Sequence, residues 1–114
     1  MAHDPRRPFD VFDGGCPSRE VLEHVTSRWG ALTLAALSPE PARFGELRRC
    51  VDGVSDKMLS QTLKQLQAGG LVSRTEHDSV AQHVDYGLTD AGRTVATSVI
   101  ALVQSVYAVQ PTLG

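Results

Sequence analysis

Residues 43–88 read RFGELRRCVDGVSDKMLSQTLKQLQAGGLVSRTEHDSVAQHVDYGL, and this segment says more about structure than any other part of the chain. Its first residues, about 43–50, predict a short helix with apolar side chains on one face. The turn follows at 52–54, where glycine permits a tight reversal. Ser55 then suits the start of a second helix, because its hydroxyl can accept a backbone N–H of the first turn. That second helix is expected to continue to Ala68.

The rest of the segment predicts a β-hairpin. Two glycines at 69–70 end the second helix, since glycine readily adopts the left-handed backbone found there. Residues 72–76 and 84–88 are expected to form two strands, and residues 77–83 the tip between them. The order of helix, turn, helix and two-stranded ribbon predicts a winged helix-turn-helix, a fold whose main use is to place one helix in a DNA groove.

The flanking sequence completes the predicted architecture. Helix 1 begins at Cys16-Pro17, because proline suits the first helical position. Helix 2 spans about 27–37 and is apolar almost all round, so we expect it to be the buried central helix. Thr89 is expected to cap the last helix. The predicted fold class is therefore mainly α with a small β wing (α+β), with five helices and a two-stranded hairpin. The predicted organisation is an N-terminal arm (1–15), a winged helix-turn-helix domain (16–109) with a C-terminal dimerisation helix (about 89–109), and a tail (110–114).

Composition narrows the possible functions. The 114 residues suit one domain, and the net charge of −2 does not by itself suggest nucleic-acid binding. Residues 42–77, with six basic and four acidic side chains, are nevertheless the only segment with a positive excess. We identify no apolar run of membrane-spanning length and no signal peptide, so we expect no membrane association and a cytoplasmic location. Two cysteines are too few for a disulfide scaffold.

The second helix of the pair, about 56–68, has two different faces. Four residues at helical spacing must pack inward: Leu59, Thr62, Leu63 and Leu66. The opposite side presents short polar side chains, an amide and lysines, which can contact base edges and phosphates. An isolated helix of this kind would more often be a plain solvated face, but the preceding helix and following ribbon favour DNA binding. The predicted DNA-binding residues are Arg43, Ser55, Lys57, Met58, Ser60, Gln61, Lys64, Arg74 and His83.

These patterns together resemble the HxlR family of bacterial transcriptional regulators, a branch of the MarR-like winged helices. The resemblance runs from Cys16-Pro17 to about Leu102, and it implies a homodimer. We expect this homodimer to bind a palindromic operator on double-stranded DNA, as an autoregulator or repressor of a neighbouring gene. The matching positions are Cys16-Pro17, Trp29 with the apolar run after it, Arg43 to Arg49, Val54 to Leu59, Leu63, Leu66, Gly70-Leu71-Val72, Arg74, and Val84 to Gly92.

The last helix supports dimerisation independently of the resemblance. It is apolar over a wider arc than a chain of this length can cover, so part of it should face a second copy. Residues 9–25 of the partner are the expected neighbours. The predicted interface residues are Val95, Val99, Leu102, Val103 and Val106.

Cys16 is the sharpest candidate for an effector site. A thiol at a helix N-terminus is favoured as the thiolate by the helix dipole. In several HxlR-type regulators the matching cysteine senses oxidants or electrophiles; the alternative is a small residue packed in the dimer interface. Cys50 is interpreted as a packing residue.

Other inputs and functions stay open. A small lipophilic ligand between helices 1, 2 and 5 is the alternative effector. A winged helix used only for protein interaction is less favoured, because its exposed face carries Lys57 and Lys64 and interfaces tend to deplete lysine. We predict no cofactor and no metal site, since the histidines and cysteines lack ligand spacing. No catalytic motif is present, so the chain is not expected to be an enzyme.

Overall fold

The computed structural model of the chain describes residues 11–78 and 83–110. It confirms the five helices and the antiparallel two-stranded hairpin. Residues 1–10 of the predicted arm, residues 79–82 of the wing tip and residues 111–114 of the tail lie outside the described residues. The elements in chain order are α1 (Pro17–Thr26), α2 (Arg28–Leu37), α3 (Phe44–Cys50), α4 (Asp56–Ala68), β1 (Val72–His77), β2 (His83–Leu88) and α5 (Asp90–Val109).

Three helices are capped at their N-terminus by a serine or threonine hydroxyl. Each hydroxyl accepts the backbone N–H of the residue three positions later, which satisfies one of the donors that a helix start leaves unpaired. The two caps predicted from sequence, Ser55 and Thr89, are both confirmed. The hydrogen bonds are Ser27 with Gly30 at 3.1 Å, Ser55 with Met58 at 3.1 Å, and Thr89 with Gly92 at 3.0 Å.

Two glycines make the reversals around α4. Gly53, in the turn between α3 and α4, has φ of +91°, and Gly70, just after α4, has φ of +78°. Both values lie in the left-handed region that glycine adopts without steric cost. The chain can therefore turn sharply near both ends of α4, and the buried residues Leu59, Thr62, Leu63 and Leu66 hold this helix against the core.

The core is built around α2, as predicted. This helix contacts all four other helices and also β2, and its most extensive contacts are with α5 and α4. Leu34 and Leu37 are fully buried and meet Leu47 of α3 and Leu59 of α4 in one hydrophobic cluster. The prediction that α2 is buried has two exceptions, Arg28 at its start and Leu32, which are both exposed.

Helix α5 divides into a buried half and an exposed half. Gly92, Ala96 and Val99 are buried in the chain's own core, whereas Leu102 is 62% exposed and Tyr107 is 73% exposed. By length and composition alone α5 could cross a membrane, so the expectation that no apolar segment reaches that length is wrong. Such a helix is weak evidence for a span, because core helices also pass this test. The buried half here is part of the core with α2.

The wing strands are each one residue longer than predicted. Their register pairs Val72 with Leu88 at the base and His77 with His83 at the far end. The base is attached to the domain by Ala42, whose backbone exchanges hydrogen bonds of 2.9 and 2.8 Å with Tyr86. The loop before α3 therefore fixes the position of the wing.

Candidate nucleic-acid interface

The residues of α4 predicted to contact DNA lie on the exposed face of this helix. Lys57, Gln61 and Lys64 are exposed and Ser60 is half-buried, while the opposite face of the helix is buried in the core. Met58 is 38% exposed at the first turn. The Ser55 hydroxyl is engaged as the helix cap, so its first role is structural. This face, called the α4 polar face below, consists of Lys57, Ser60, Gln61 and Lys64.

A polar groove runs between the α4 polar face and α1, and sequence reasoning missed its second wall. The groove has a volume of about 480 Å³, and α1 contributes Glu20 and His24 to it. The His24 imidazole lies 3.8 Å from the Glu20 carboxylate, an i,i+4 spacing that was visible in the sequence. A phosphate approaching Lys57 or Lys64 from this side would also meet the negative charge of Glu20.

An exposed ion pair connects the two helices of the helix-turn-helix. Arg48, at the end of α3, lies 3.2 Å from Asp56, in the first turn of α4. This exposed pair contributes little energy but joins the two helices across the turn. Of the two neighbouring arginines, Arg48 is thus the ion-pair partner. Arg49 is exposed and forms no ion pair with any residue of the described ranges.

Arg43 lies where the helix-turn-helix meets the base of the wing. It precedes α3, and its backbone N–H donates to the Glu46 carboxylate at 2.9 Å, which fixes the start of that helix. Its side chain is exposed. Its neighbour Ala42 is bonded to β2, so Arg43 stands between the helix-turn-helix and the wing base.

The wing carries one well-defined cation. The Arg74 guanidinium lies 2.6 Å from the Glu76 carboxylate on the same strand. Its hydrogen bonds to Glu76 and then to Tyr86 raise the pKa of Arg74 above its ordinary value. The side chain therefore stays charged, but Glu76 offsets part of its attraction for a phosphate.

His83 is not a tip-loop residue, which corrects the sequence interpretation. It begins β2 opposite His77, and the two imidazole rings stack with centroids 4.4 Å apart. Both rings also lie near the carboxylate of Asp85, so three potential metal ligands come together. Six positions separate the histidines in sequence. Only the strand register makes them neighbours, so ligand spacing could not reveal the cluster.

The two cysteines differ from each other in exposure. Cys16 precedes α1 and is only 4% exposed; its backbone N–H donates to the Asp13 carbonyl at 3.0 Å. Cys50, at the end of α3, is exposed, so its interpretation as a packing residue is wrong. The error arose because the periodicity of a seven-residue helix does not determine the orientation of its last turn.

An apolar groove lies on the other side of α1. It has a volume of about 440 Å³ and is bordered by α1, by Val11 of the preceding segment and by Val95 of α5. Val95 and Val99 were assigned to a dimer interface, yet Val99 is buried in the core and Val95 packs against it. The apolar surface that α5 leaves open is instead Leu102, Val106, Tyr107 and Val109.

A polar helix that projects from a helix-turn-helix, beside a two-stranded wing, defines the class of winged helix-turn-helix DNA-binding proteins. Known proteins of similar sequence belong to the same class. The sequence profile of the HxlR-like helix-turn-helix family matches residues 24–111. The chain is 50% identical over 93 residues to the HTH-type transcriptional regulator YtfH of Escherichia coli (strain K12), covering 82% of this chain and 74% of YtfH. The chain therefore belongs to the HxlR-like helix-turn-helix family: it is a transcriptional regulator with a helix-turn-helix DNA-binding fold and not an enzyme.

Solved structures show the same fold. The transcriptional regulator ytfH from Salmonella typhimurium matches with a TM-score of 0.82 at 45% identity, covering 92% of this chain and 94% of that one. The redox regulator HypR in its oxidised form matches with a TM-score of 0.71 at 29% identity, covering 78% and 92%. The expected resemblance to HxlR-type and MarR-like regulators is thus confirmed.

Proposed function

We propose that the chain is a sequence-specific regulator that binds a palindromic operator as a homodimer, with α4 in the major groove of each half-site. The observation that carries this proposal is the α4 polar face, which stays exposed while the other side of the helix forms the core. We further propose that it acts in the cytoplasm, as an autoregulator or as a repressor of a neighbouring gene.

Each contact residue has a separate role in the proposed complex. Gln61 lies at the middle of the exposed face and can bond an adenine edge with two hydrogen bonds. Lys57 and Lys64 flank it and contact phosphates as point charges. Arg43 and Arg74 extend the positive surface from the helix-turn-helix to the wing, so both strands of one half-site are held.

The experiment that tests the reading role is a binding titration with DNA taken from beside the gene. Gln61→Ala is expected to weaken the preferred site by about 1–3 kcal/mol and to relax base preference. Arg43→Ala is expected to weaken all sequences alike and to reduce the salt slope by about one unit. Arg93→Ala on α5 removes the same charge elsewhere and is the matched control. If Gln61→Ala and Arg43→Ala both bind like the control, α4 does not read DNA.

The dimer interface is proposed to use the exposed half of α5. Leu102, Val106 and Tyr107 form an apolar surface that a second chain would cover, and Val103 lies half-buried between them. Leu102→Glu places an unpaired charge there and is expected to give monomers in sedimentation, because a buried unpaired charge costs several kcal/mol. Exposed Ala101→Glu, on the same helix, is the control. Monomeric wild type that still binds a palindrome at full affinity would contradict the proposal.

We propose Cys16 as the site of a redox or electrophile input. A sulfenate or adduct would add bulk where α1 meets the apolar groove and would shift the half-site distance. Cys16 is only 4% exposed, so an oxidant reaches the thiol only after a local opening of the chain. The test compares operator binding by wild type, Cys16→Ser and Cys50→Ser, each with and without peroxide. A response that Cys16→Ser retains and Cys50→Ser loses would assign sensing to the exposed thiol instead.

The second candidate input is a small lipophilic ligand, which the apolar groove favours. Its walls include Val21, Leu22 and Val25 of α1 and Val95 of α5, and their side chains offer no charge. Leu22→Trp would fill the open side of the groove. An effect of ligand on operator binding that survives Cys16→Ser but disappears in Leu22→Trp would favour this input over the thiol.

A further inference from the structure

Two histidines and one aspartate meet on one face of the wing, at the end farthest from the domain. His77 and His83 are directly opposite each other across the strands, and Asp85 is two positions further along β2, so all three side chains share a face. One Asp85 oxygen lies 2.9 Å from His77 Nε2 and 3.5 Å from His83 Nε2. One ligand atom from each residue lies within 4.8 Å of the other two.

One polar atom of this cluster has no partner among the described residues. Nδ1 of His83 is buried without a hydrogen bond, although its ring stacks on His77 with centroids 4.4 Å apart. The other nitrogen, Nε2, faces the Asp85 oxygen that also contacts His77. A divalent transition-metal ion suits such a set, because it takes neutral imidazoles and an ionised carboxylate as ligands.

We propose that His77, His83 and Asp85 form a binding site for Zn²⁺ or a similar divalent transition-metal ion across the wing. Ligands at about 2.0–2.2 Å from a tetrahedral zinc ion lie about 3.3–3.6 Å apart. The distances from Asp85 to the two imidazoles, 2.9 and 3.5 Å, need only a small adjustment to match. Two imidazoles with a carboxylate favour zinc, nickel, cobalt or copper over magnesium and calcium, which prefer oxygen. Three protein ligands leave the fourth coordination position of the ion for a water molecule or for the carboxylate of Asp78, which is next to His77 in the chain.

A bound ion joins the two strands at the end opposite the Ala42–Tyr86 attachment. It holds the hairpin at both ends and replaces the negative charge of Asp85 by a net positive one. The wing therefore becomes more rigid and more cationic when metal is bound. The site lies on one chain and depends on neither dimerisation nor DNA binding.

The experiment uses the full chain without an affinity tag, stripped with EDTA and dialysed. Zn²⁺ is titrated in competition with a chromophoric chelator. One ion per chain is expected, with affinity falling as the solution is made acidic, because protons compete for the imidazoles. His77→Gln and His83→Gln are expected to weaken binding by more than the 10- to 100-fold that loss of an outer-shell partner causes.

Two control variants exclude other ligands. His24→Gln removes a histidine that also has an acidic neighbour, Glu20 at 3.8 Å, but lies on α1. Cys50→Ser removes the exposed thiol. Both are expected to bind like wild type. On wild type, Co²⁺ should give a spectrum of nitrogen and oxygen ligands without a sulfur-to-cobalt charge-transfer band. Sub-stoichiometric binding, wild-type affinity in the His77→Gln or His83→Gln variant, or a thiolate spectrum would each overturn the proposal.

Discussion

Replacing Thr89 by valine tests how the last helix is attached to the reading helix. The Thr89 hydroxyl accepts the Gly92 N–H at 3.0 Å and donates to the Gly70 carbonyl at 2.7 Å. Valine has nearly the same shape, so no cavity forms and the backbone bond from Thr89 to the Leu71 carbonyl is kept. The change therefore removes two hydrogen bonds and little else.

The expected cost follows from the surroundings of each bond. Gly92 is buried, so its N–H loses a partner that water cannot easily replace, and loss of such a helix cap costs about 1 kcal/mol, at most about 2. The Gly70 carbonyl is at an exposed position, where water can substitute, so its loss adds only about 0.5–1 kcal/mol. The total is about 2 kcal/mol, which corresponds to a fall of about 8 °C in Tm for a domain of this size.

The assay is urea unfolding at one fixed protein concentration, followed by circular dichroism and by fluorescence of Trp29, the single tryptophan of the chain. Thr97→Val is the matched control. It makes the same chemical change on the same helix, where the hydroxyl only donates to the Arg93 carbonyl at 2.9 Å on an exposed turn. We expect the control to stay within about 0.5 kcal/mol of wild type. Equal effects of the two variants would refute the reasoning, as would a Thr89→Val protein as stable as wild type.

Three further changes test the packing and the surface. Thr33→Val is expected to raise the unfolding free energy by about 1 kcal/mol, because the buried Thr33 hydroxyl has no partner among the described residues; a loss in urea unfolding would contradict this. Gly92→Ala is expected to lower it by about 1–3 kcal/mol or more, since the new methyl would collide with the Leu71 carbonyl oxygen; an unchanged Tm would contradict this. Arg48→Ala is expected to change it by less than about 1 kcal/mol, because the ion pair with Asp56 is exposed on both sides, and a larger loss in urea unfolding would show a stronger link.

The features that sequence predicted correctly are the ones encoded locally. Ser55 and Thr89 each stand immediately before an apolar helical pattern, and a cap needs only residues within one turn. Gly70 is adjacent to the end of α4, where the backbone must turn. The inward face of α4 follows from helical periodicity alone. These elements need no knowledge of the partner surface.

The features that were missed depend on contacts between distant residues. His77 and His83 become neighbours only through strand register, which also extends each strand by one residue. Helix α5 is apolar on most sides, so periodicity could not show which face the chain uses for itself. The structure uses Gly92, Ala96 and Val99, a set of small residues at successive turns that lets α5 approach α2 and the Leu71 backbone closely.

The end of α4 is the point through which an input at α1 or α5 would reach the DNA-reading face. Gly69 packs its backbone against Val21 of α1, and Leu71 accepts the hydrogen bond from Thr89 at the start of α5. Both elements around the apolar groove thus attach to the same three-residue segment, 69–71. A change that separates α1 from α5 must therefore displace this segment or break one of the two attachments. A displacement of this segment would change the angle of α4 relative to the exposed half of α5. In a dimer joined through that half, the spacing of the two reading helices would change with it, which is the distance that a palindromic operator fixes.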